Sequence, residues 1–244
     1  MRLKPAYTVG EREGSLLDAL QLGDNELLED KDPSLLEALL PGDGEWEVEL
    51  GYGKGRYLLE RAMAGPERRF FGVEMVSKYF RMLSTRARRH GVRNLLNVRG
   101  EALYLLSSVL PRAFADRLHV YFPDPWPKAR HHRRRLFDPQ TVDLVLGVVK
   151  PGGELCFATD HLEYGEVVME ILEGYPGLTV EPVLGEWPDG ARTNYEAKYI
   201  VEGRPIIRAV ARVAEDAAPG ALHPGGAAGV VAAWAQPPAD DASF

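Results

Sequence analysis

The chain has 244 residues, 45% of them hydrophobic, a formal net charge of −7 and one cysteine. That length allows one sizeable core, the single cysteine excludes an internal disulfide and any multi-cysteine zinc site, and no twenty-residue apolar run marks a membrane helix. The net charge by itself argues against a polyanionic partner, but the charges are segregated: acids dominate from Glu11 to Glu49, whereas Lys78, Arg81, Arg86, Arg88, Arg89, Arg93 and Arg99 share a stretch without any acid.

Residues 1–33 show no sustained periodicity and read as an N-terminal extension, with short helical turns at Ser15 to Leu20 and Asn25 to Leu28. Pro33 then opens an amphipathic helix, Ser34 to Leu40, that Pro41-Gly42 stops. From Glu45 onward a strand followed by a helix repeats. Trp46 to Leu50 is a strand, Gly51-Tyr52-Gly53-Lys54-Gly55 a glycine turn and Arg56 to Ala64 a helix. Phe70 to Glu74 and Leu95 to Val98 are the next strands, followed by helices Ser77 to His90 and Leu103 to Leu110. Leu118 to Phe122 is a fourth strand that runs into a proline loop. A helix from Pro139 to Val149 stops at Lys150-Pro151-Gly152-Gly153, before a fifth strand, Glu154 to Thr159. The helix Leu162 to Leu172 precedes two late strands, Leu178 to Leu184 and Arg204 to Val213.

Repeated units of this kind predict an α/β protein with a mostly parallel, doubly wound sheet, whose ligands sit at the carboxyl ends of the strands. The domain spans 34–213. Residues 214–244, rich in Ala, Gly and Pro, read as a partly disordered tail. Cys156, within the apolar run Leu155 to Ala158, reads as a buried structural thiol. With no signal-like start, the chain is expected to be cytoplasmic.

The glycine turn occupies the place of a dinucleotide fingerprint, but its third glycine falls at Gly55 rather than at Arg56. Glu49 just before Gly51 and Gly53 suits a nucleoside bearing a sulfonium cation better than a pyrophosphate, since a carboxylate meets positive charge and no phosphate need be cradled. Glu74, ending the second strand, is placed to accept from ribose hydroxyls. Glu101, after the third strand, is placed to accept from an adenine amine.

The fourth strand ends in Tyr121-Phe122-Pro123-Asp124-Pro125-Trp126-Pro127-Lys128, continuing into Arg130-His131-His132-Arg133-Arg134-Arg135. Alternating prolines forbid both helix and central strand. The result is a stiff loop carrying a carboxylate, an indole and a polycation. Lys128, Arg130, Arg133, Arg134 and Arg135 suit phosphate contacts. His131 and His132 among arginines make a poor metal site, and no metal is expected. Two basic blocks in an acidic protein predict a local positive surface, against the plainer reading of a solvated helix face.

With these motifs in order, followed by Ala158-Thr159-Asp160 and Thr193-Asn194-Tyr195-Glu196, the chain resembles the tRNA (guanine-N7-)-methyltransferase family over roughly residues 46–212. The resemblance implies a Rossmann-like class I methyltransferase fold with a seven-stranded sheet and an antiparallel late strand. It implies S-adenosylmethionine as cofactor and tRNA as partner, with methylation of guanine N7 at position 46 of the variable loop. By the same resemblance Glu49, Gly51, Gly53, Glu74, Glu101 and Asp124 contact the cofactor, Asp124 is catalytic, and Lys128, Asp160, Thr193, Asn194, Tyr195 and Glu196 contact tRNA. Glu101 stands where the family usually has an aspartate. The protein is expected to be a monomer or homodimer.

Guanine N7 has a lone pair and no proton, so methyl transfer to it needs no base there, and catalysis rests on positioning and electrostatics. Asp124 can accept from the guanine N1–H and exocyclic amine and stabilise the cation that forms. Trp126 either stacks on a base or packs in the core. Two other readings stay open: an RNA methyltransferase acting on an exocyclic base amine, and a non-catalytic tRNA-binding subunit.

Overall fold

The computed structural model describes residues 5–20, 34–128, 134–139 and 141–217. In chain order, a hairpin of β1 (Ala6–Val9) and β2 (Arg12–Ser15) leads through α1 (Leu16–Ala19) to α2 (Ser34–Leu39). Then come β3 (Trp46–Leu50), α3 (Arg56–Ala64), β4 (Arg69–Glu74), α4 (Ser77–Arg89), β5 (Leu95–Arg99), α5 (Ala102–Ser108) and β6 (Ala115–Tyr121). The chain continues with α6 (Val142–Gly147), β7 (Val149–Thr159), α7 (Leu162–Glu173), β8 (Leu178–Pro182), α8 (Asn194–Val201) and β9 (Ile207–Val213).

Nine strands form one sheet in the order β2-β1-β5-β4-β3-β6-β7-β9-β8. The five central strands β5, β4, β3, β6 and β7 are parallel, and β9 lies antiparallel between β7 and β8. The mostly parallel sheet and its antiparallel late strand agree with expectation; the count of seven does not. Residues 5–15, within the expected extension, add two strands by pairing Ala6 with Arg99 and Thr8 with Asn97. Four-residue strands, one of them the polar Arg12-Glu13-Gly14-Ser15, are too short to show a period of two. α8 also lies in a stretch where the sequence pattern predicts no helix. β7 starts before Pro151-Gly152-Gly153 rather than after it: Val149 already pairs with Ala115, and the register then shifts before Glu154 meets Arg117.

Alternation along the strands splits the interior. Val48, Leu50, Phe71, Val73, Leu118, Val120, Leu155 and Phe157 join residues of α5, α6 and α7 in one core. On the other face Phe70 and Leu95 meet Leu58, Leu59 and Leu83 of α3 and α4, while Tyr121, Cys156 and Ala158 meet Tyr57 and Trp187. Each of these fully buried Leu or Phe side chains contributes about 1.5–3 kcal/mol through removal of apolar surface from water. Cys156 is buried, as the apolar run predicts. Among the described residues no helix is long and apolar enough to cross a membrane.

The same alternation buries two carboxylates under α3, Glu47 and Glu49. Glu47 is 1% exposed and fully partnered. Arg61 donates to both of its oxygens, Arg68 donates at 2.6 Å, Arg117 lies at 3.7 Å and His119 Nε2 at 3.2 Å. Burial raises its pKa, but the hydrogen bonds from His119 and Arg61 and the Arg61 charge outweigh that and hold the group well below the usual range. Burial pushes His119 down to about 4. Its neutral ring therefore donates from Nε2 to Glu47 and accepts at Nδ1 from the Tyr121 hydroxyl, 2.9 Å away.

Candidate active site

The carboxyl ends of the parallel strands share one edge, which gathers Glu49, Glu74, Glu101, the proline loop and Asp160. Gly51, Gly53 and Gly55 have φ of 70°, 56° and 64°, values that favour glycine. Gly51 N–H bonds to the Val73 carbonyl at 2.8 Å and Gly55 N–H to that of Tyr52 at 2.9 Å. A Cβ on Gly51 or Gly53 would meet nothing within 4 Å, so the turn faces open space. A Cβ on Gly55 would come within 2.9 Å of Leu83, so this glycine is also required for packing α3 on α4.

Glu49 is 2% exposed, and unlike Glu47 it has no arginine or histidine hydrogen-bonded to it among the described residues. The Leu58 N–H meets the carboxylate, and Oε2 is buried without any hydrogen-bond partner. Burial and the nearby Glu74 charge push its pKa up to about 8, against the Leu58 N–H and the Arg192 charge. A buried carboxyl oxygen without a partner, beside a glycine turn open to solvent, fits a cationic ligand group that would draw off its proton. The residues therefore suit S-adenosylmethionine.

Glu74 accepts from Gly53 N–H and Val76 N–H, both at 2.8 Å. Burial raises its pKa despite these bonds, and the Asp124 charge adds to the rise. The acceptor capacity that remains on the carboxylate is available to a ribose hydroxyl. Glu101 is the N-cap of α5, accepting from Leu103 N–H at 3.1 Å and Tyr104 N–H at 2.7 Å. Only its remaining lone pairs are left for the adenine amine expected of it.

The loop leaves β6 under strain. Phe122 and Trp126, neither of them glycine, have φ of 52° and 40°, each costing on the order of 1–3 kcal/mol. Phe122 N–H is held by the Ala158 carbonyl at 2.7 Å. Arg135 Nε donates to the Pro125 carbonyl at 2.7 Å, and its guanidinium lies 4.9 Å from the Tyr164 ring centre. Arg135 is 4% exposed and so makes no phosphate contact. Its place in a basic run hid a loop anchor. Asp124 is exposed, and its charge acts on both Glu74 and Tyr195. Trp126 is half-buried outside the core with the Arg134 guanidinium 5.0 Å above its ring, so the core-packing reading does not hold. Lys128 and Arg134 are exposed. Arg130, His131, His132 and Arg133 lie outside the described residues, as do residues 21–33 and 218–244.

The segment Thr193 to Glu196 divides. Thr193 is the N-cap of α8 and accepts from Glu196 N–H at 3.0 Å. Glu196 is fully buried and accepts from Arg192 N–H at 2.8 Å and Arg208 Nε at 2.6 Å. These two side chains build the helix start and have no exposed group for tRNA to meet at Glu196. Asn194 and Tyr195 are exposed at the same turn. Asp160 pairs with Arg204 at 3.3 Å.

Sequence reasoning missed Arg192. Its guanidinium lies 4.0 Å from the Trp187 ring centre, 5.1 Å from Tyr57 and 5.9 Å from Tyr121. It also donates to the Tyr121 hydroxyl at 2.7 Å and to Asp189 at 2.9 Å. This caged cation is the positive charge nearest in effect to Glu49. The aromatics that surround it come from separate segments, so no local pattern announces it.

A glycine turn after the first central strand, acids at successive strand ends and an antiparallel last strand in a doubly wound sheet define a class I S-adenosylmethionine-dependent methyltransferase. A family model described as "Putative methyltransferase" matches residues 44–209. The tRNA (guanine-N(7)-)-methyltransferase of Nitrosococcus oceani is 36% identical over 174 residues, 71% of this chain and 74% of that protein. The enzyme of the same description from Roseobacter denitrificans is 37% identical over 179 residues, 72% of this chain and 76% of that one. The chain belongs to the tRNA (guanine-N7-)-methyltransferase family. Among solved structures, a variant of the 16S rRNA (adenine(1408)-N(1))-methyltransferase of Catenulisporales acidiphilia with its cosubstrate SAM superposes with a TM-score of 0.57. It is 18% identical, covering 88% of this chain and 99% of that one, and the likeness speaks for the fold alone.

Proposed function

We propose that this methyltransferase moves a methyl group from S-adenosylmethionine to N7 of the guanine at position 46 in the tRNA variable loop, and does so in the cytoplasm. The observation that carries the reading is the contrast at β3, where Glu47 is saturated by cations and Glu49 is left buried, unpartnered at one oxygen and adjacent to the open glycine turn. When bound, S-adenosylmethionine supplies an electrophilic methyl on a cationic sulfur. Glu49 offers its free oxygen to that molecule's positive charge, Glu74 its lone pairs to the ribose, and Gly51 and Gly53 leave room for it.

Asp124 is the residue presented to the base. It stands at the end of the strand next to β3, exposed, on a loop pinned at Phe122 and Pro125. A carboxylate there accepts from the guanine N1–H and exocyclic amine, each charge-assisted bond contributing about 1.5–3 kcal/mol, and it stabilises the positive charge that N7 acquires. Adenine offers no such pair of donors. Lys128 and Arg134, both exposed, suit the neighbouring phosphates, and Asn194 and Tyr195 the tRNA surface above the loop.

Asp124→Ala tests the reading. With tRNA and S-adenosylmethionine both saturating, methyl transfer should fall at least tenfold; near wild-type turnover would remove Asp124 from the mechanism.

A further inference from the structure

Beyond the methyl-transfer site, the surface of α4 stands apart in its charge. Several exposed or half-exposed arginines elsewhere sit against acids: Arg56 on Glu60, Arg117 on Glu154, Arg204 on Asp160 and Arg212 on Glu154. On and just after α4, Lys78, Arg89 and Arg93 are exposed and pair with no acid among the described residues, and Arg81 bonds only to Ser77 of its own helix. Arg88, on the flank, is the exception, held by Glu13 of the N-terminal hairpin at 2.6 Å.

Their placement is regular. Lys78, Arg81 and Arg89 are spaced by three and eight residues, so with Thr85 between them they follow one line along the helix surface. At 1.5 Å per residue that line is about 16 Å long, and Arg93 extends it past the helix end. It also starts at the site. β4 ends at Glu74, and α4 begins at Ser77 after only Met75 and Val76. Tyr79, in the first turn of α4, is close enough to Tyr195 to act on it electrostatically, as Asp124 does. From there α4 runs back along the sheet, away from Asp124.

Cations that find no acid among the described residues, in a protein of net charge −7, repel one another, and the chain has acids enough to neutralise them. Four such cations in a row, leading away from the place where a guanine is presented, fit a phosphate backbone. We propose that Lys78, Arg81, Arg89 and Arg93 form a track for the backbone of the bound RNA, separate from the proline loop and its basic extension. This inference rests on the tRNA reading given above. The track carries affinity and orientation, not base identity, because point charges on phosphates read no sequence.

The test is the variant Lys78→Gln, Arg81→Gln, Arg89→Gln, Arg93→Gln in the full chain, with unmodified tRNA as the probe. Binding should weaken at least tenfold at low salt, and the slope of log affinity against log salt should become shallower by about 3, the release expected for four lost phosphate contacts. S-adenosylmethionine affinity by calorimetry, which reports on the fold and on Glu49, should not change. The smaller variant Arg89→Gln, Arg93→Gln, farthest from Glu74, should give about half of that change in slope and covers the case in which the larger variant fails to fold. Arg56→Gln, Arg212→Gln removes two paired cations and should leave the slope as it is. A wild-type slope in both α4 variants overturns the track while leaving the tRNA reading intact, and so does an equal loss in the Arg56, Arg212 control. A wild-type protein that binds no tRNA overturns the tRNA reading itself.

Discussion

Glu47 and Glu49 are two residues apart, on one face of one strand and almost equally buried, yet their surroundings give them opposite work. Glu47, ionised and gripped, holds the sheet to α3. Truncating it would remove the carboxylate that Arg61, Arg68 and His119 hydrogen-bond, so Glu47→Ala should lower stability by about 1–3 kcal/mol, measured by denaturant unfolding. Glu49 holds a proton up to about pH 8, above its ordinary value of 4.5. The folded apo protein therefore binds that proton more tightly than the unfolded chain does, and its stability falls as pH rises from 4.5 to 8. A bound cation reverses the preference. S-adenosylmethionine binding at pH 7 should release close to one proton, seen as a binding enthalpy that varies with the ionisation enthalpy of the buffer. Its affinity should rise with pH and level off near 8. Glu49→Gln should bind at least tenfold more weakly and show neither dependence; a wild-type profile in that variant would exclude Glu49 from the cofactor site. The sequence displays the alternation that places both acids on one face. It does not display which is paired, because the partners of Glu47 lie 14 to 72 residues away.

At the scale of elements, the proline loop and α8 show what a basic run and a polar motif conceal. The loop itself is legible, since prolines at 123, 125 and 127 leave few backbone options. That Arg135 turns inward under Pro125 is not, because neighbouring cations look alike until one of them is buried. Arg135→Lys keeps the charge but not the bond to the Pro125 carbonyl. It should lower turnover at least tenfold with tRNA affinity changed less than threefold, measured by single-turnover kinetics alongside binding; a loss confined to tRNA affinity would return Arg135 to the phosphates. In α8 the signal is present but has two meanings. Thr193-Asn194-Tyr195-Glu196 has the spacing of a capping box, and Thr193→Ala should cost about 1 kcal/mol of stability through loss of the cap.

At the scale of the whole molecule, the parallel run of central strands follows from the repeated strand-helix units, and with it the edge that collects Glu49, Glu74, Glu101 and Asp124. The N-terminal hairpin escapes such a reading because pairing with β5, far along the chain, is what makes those residues strands. Charge is distributed at the same scale: acids satisfy many of the arginines, and α4 is left positive beside the edge where chemistry is proposed. The direct measurement is to incubate the purified protein with labelled S-adenosylmethionine and unmodified tRNA, then map the product by cleavage at alkali-labile 7-methylguanine. Label at the single variable-loop guanine, position 46, is the predicted result. Label on an exocyclic base amine, or a protein that binds both substrates and transfers nothing, would contradict it.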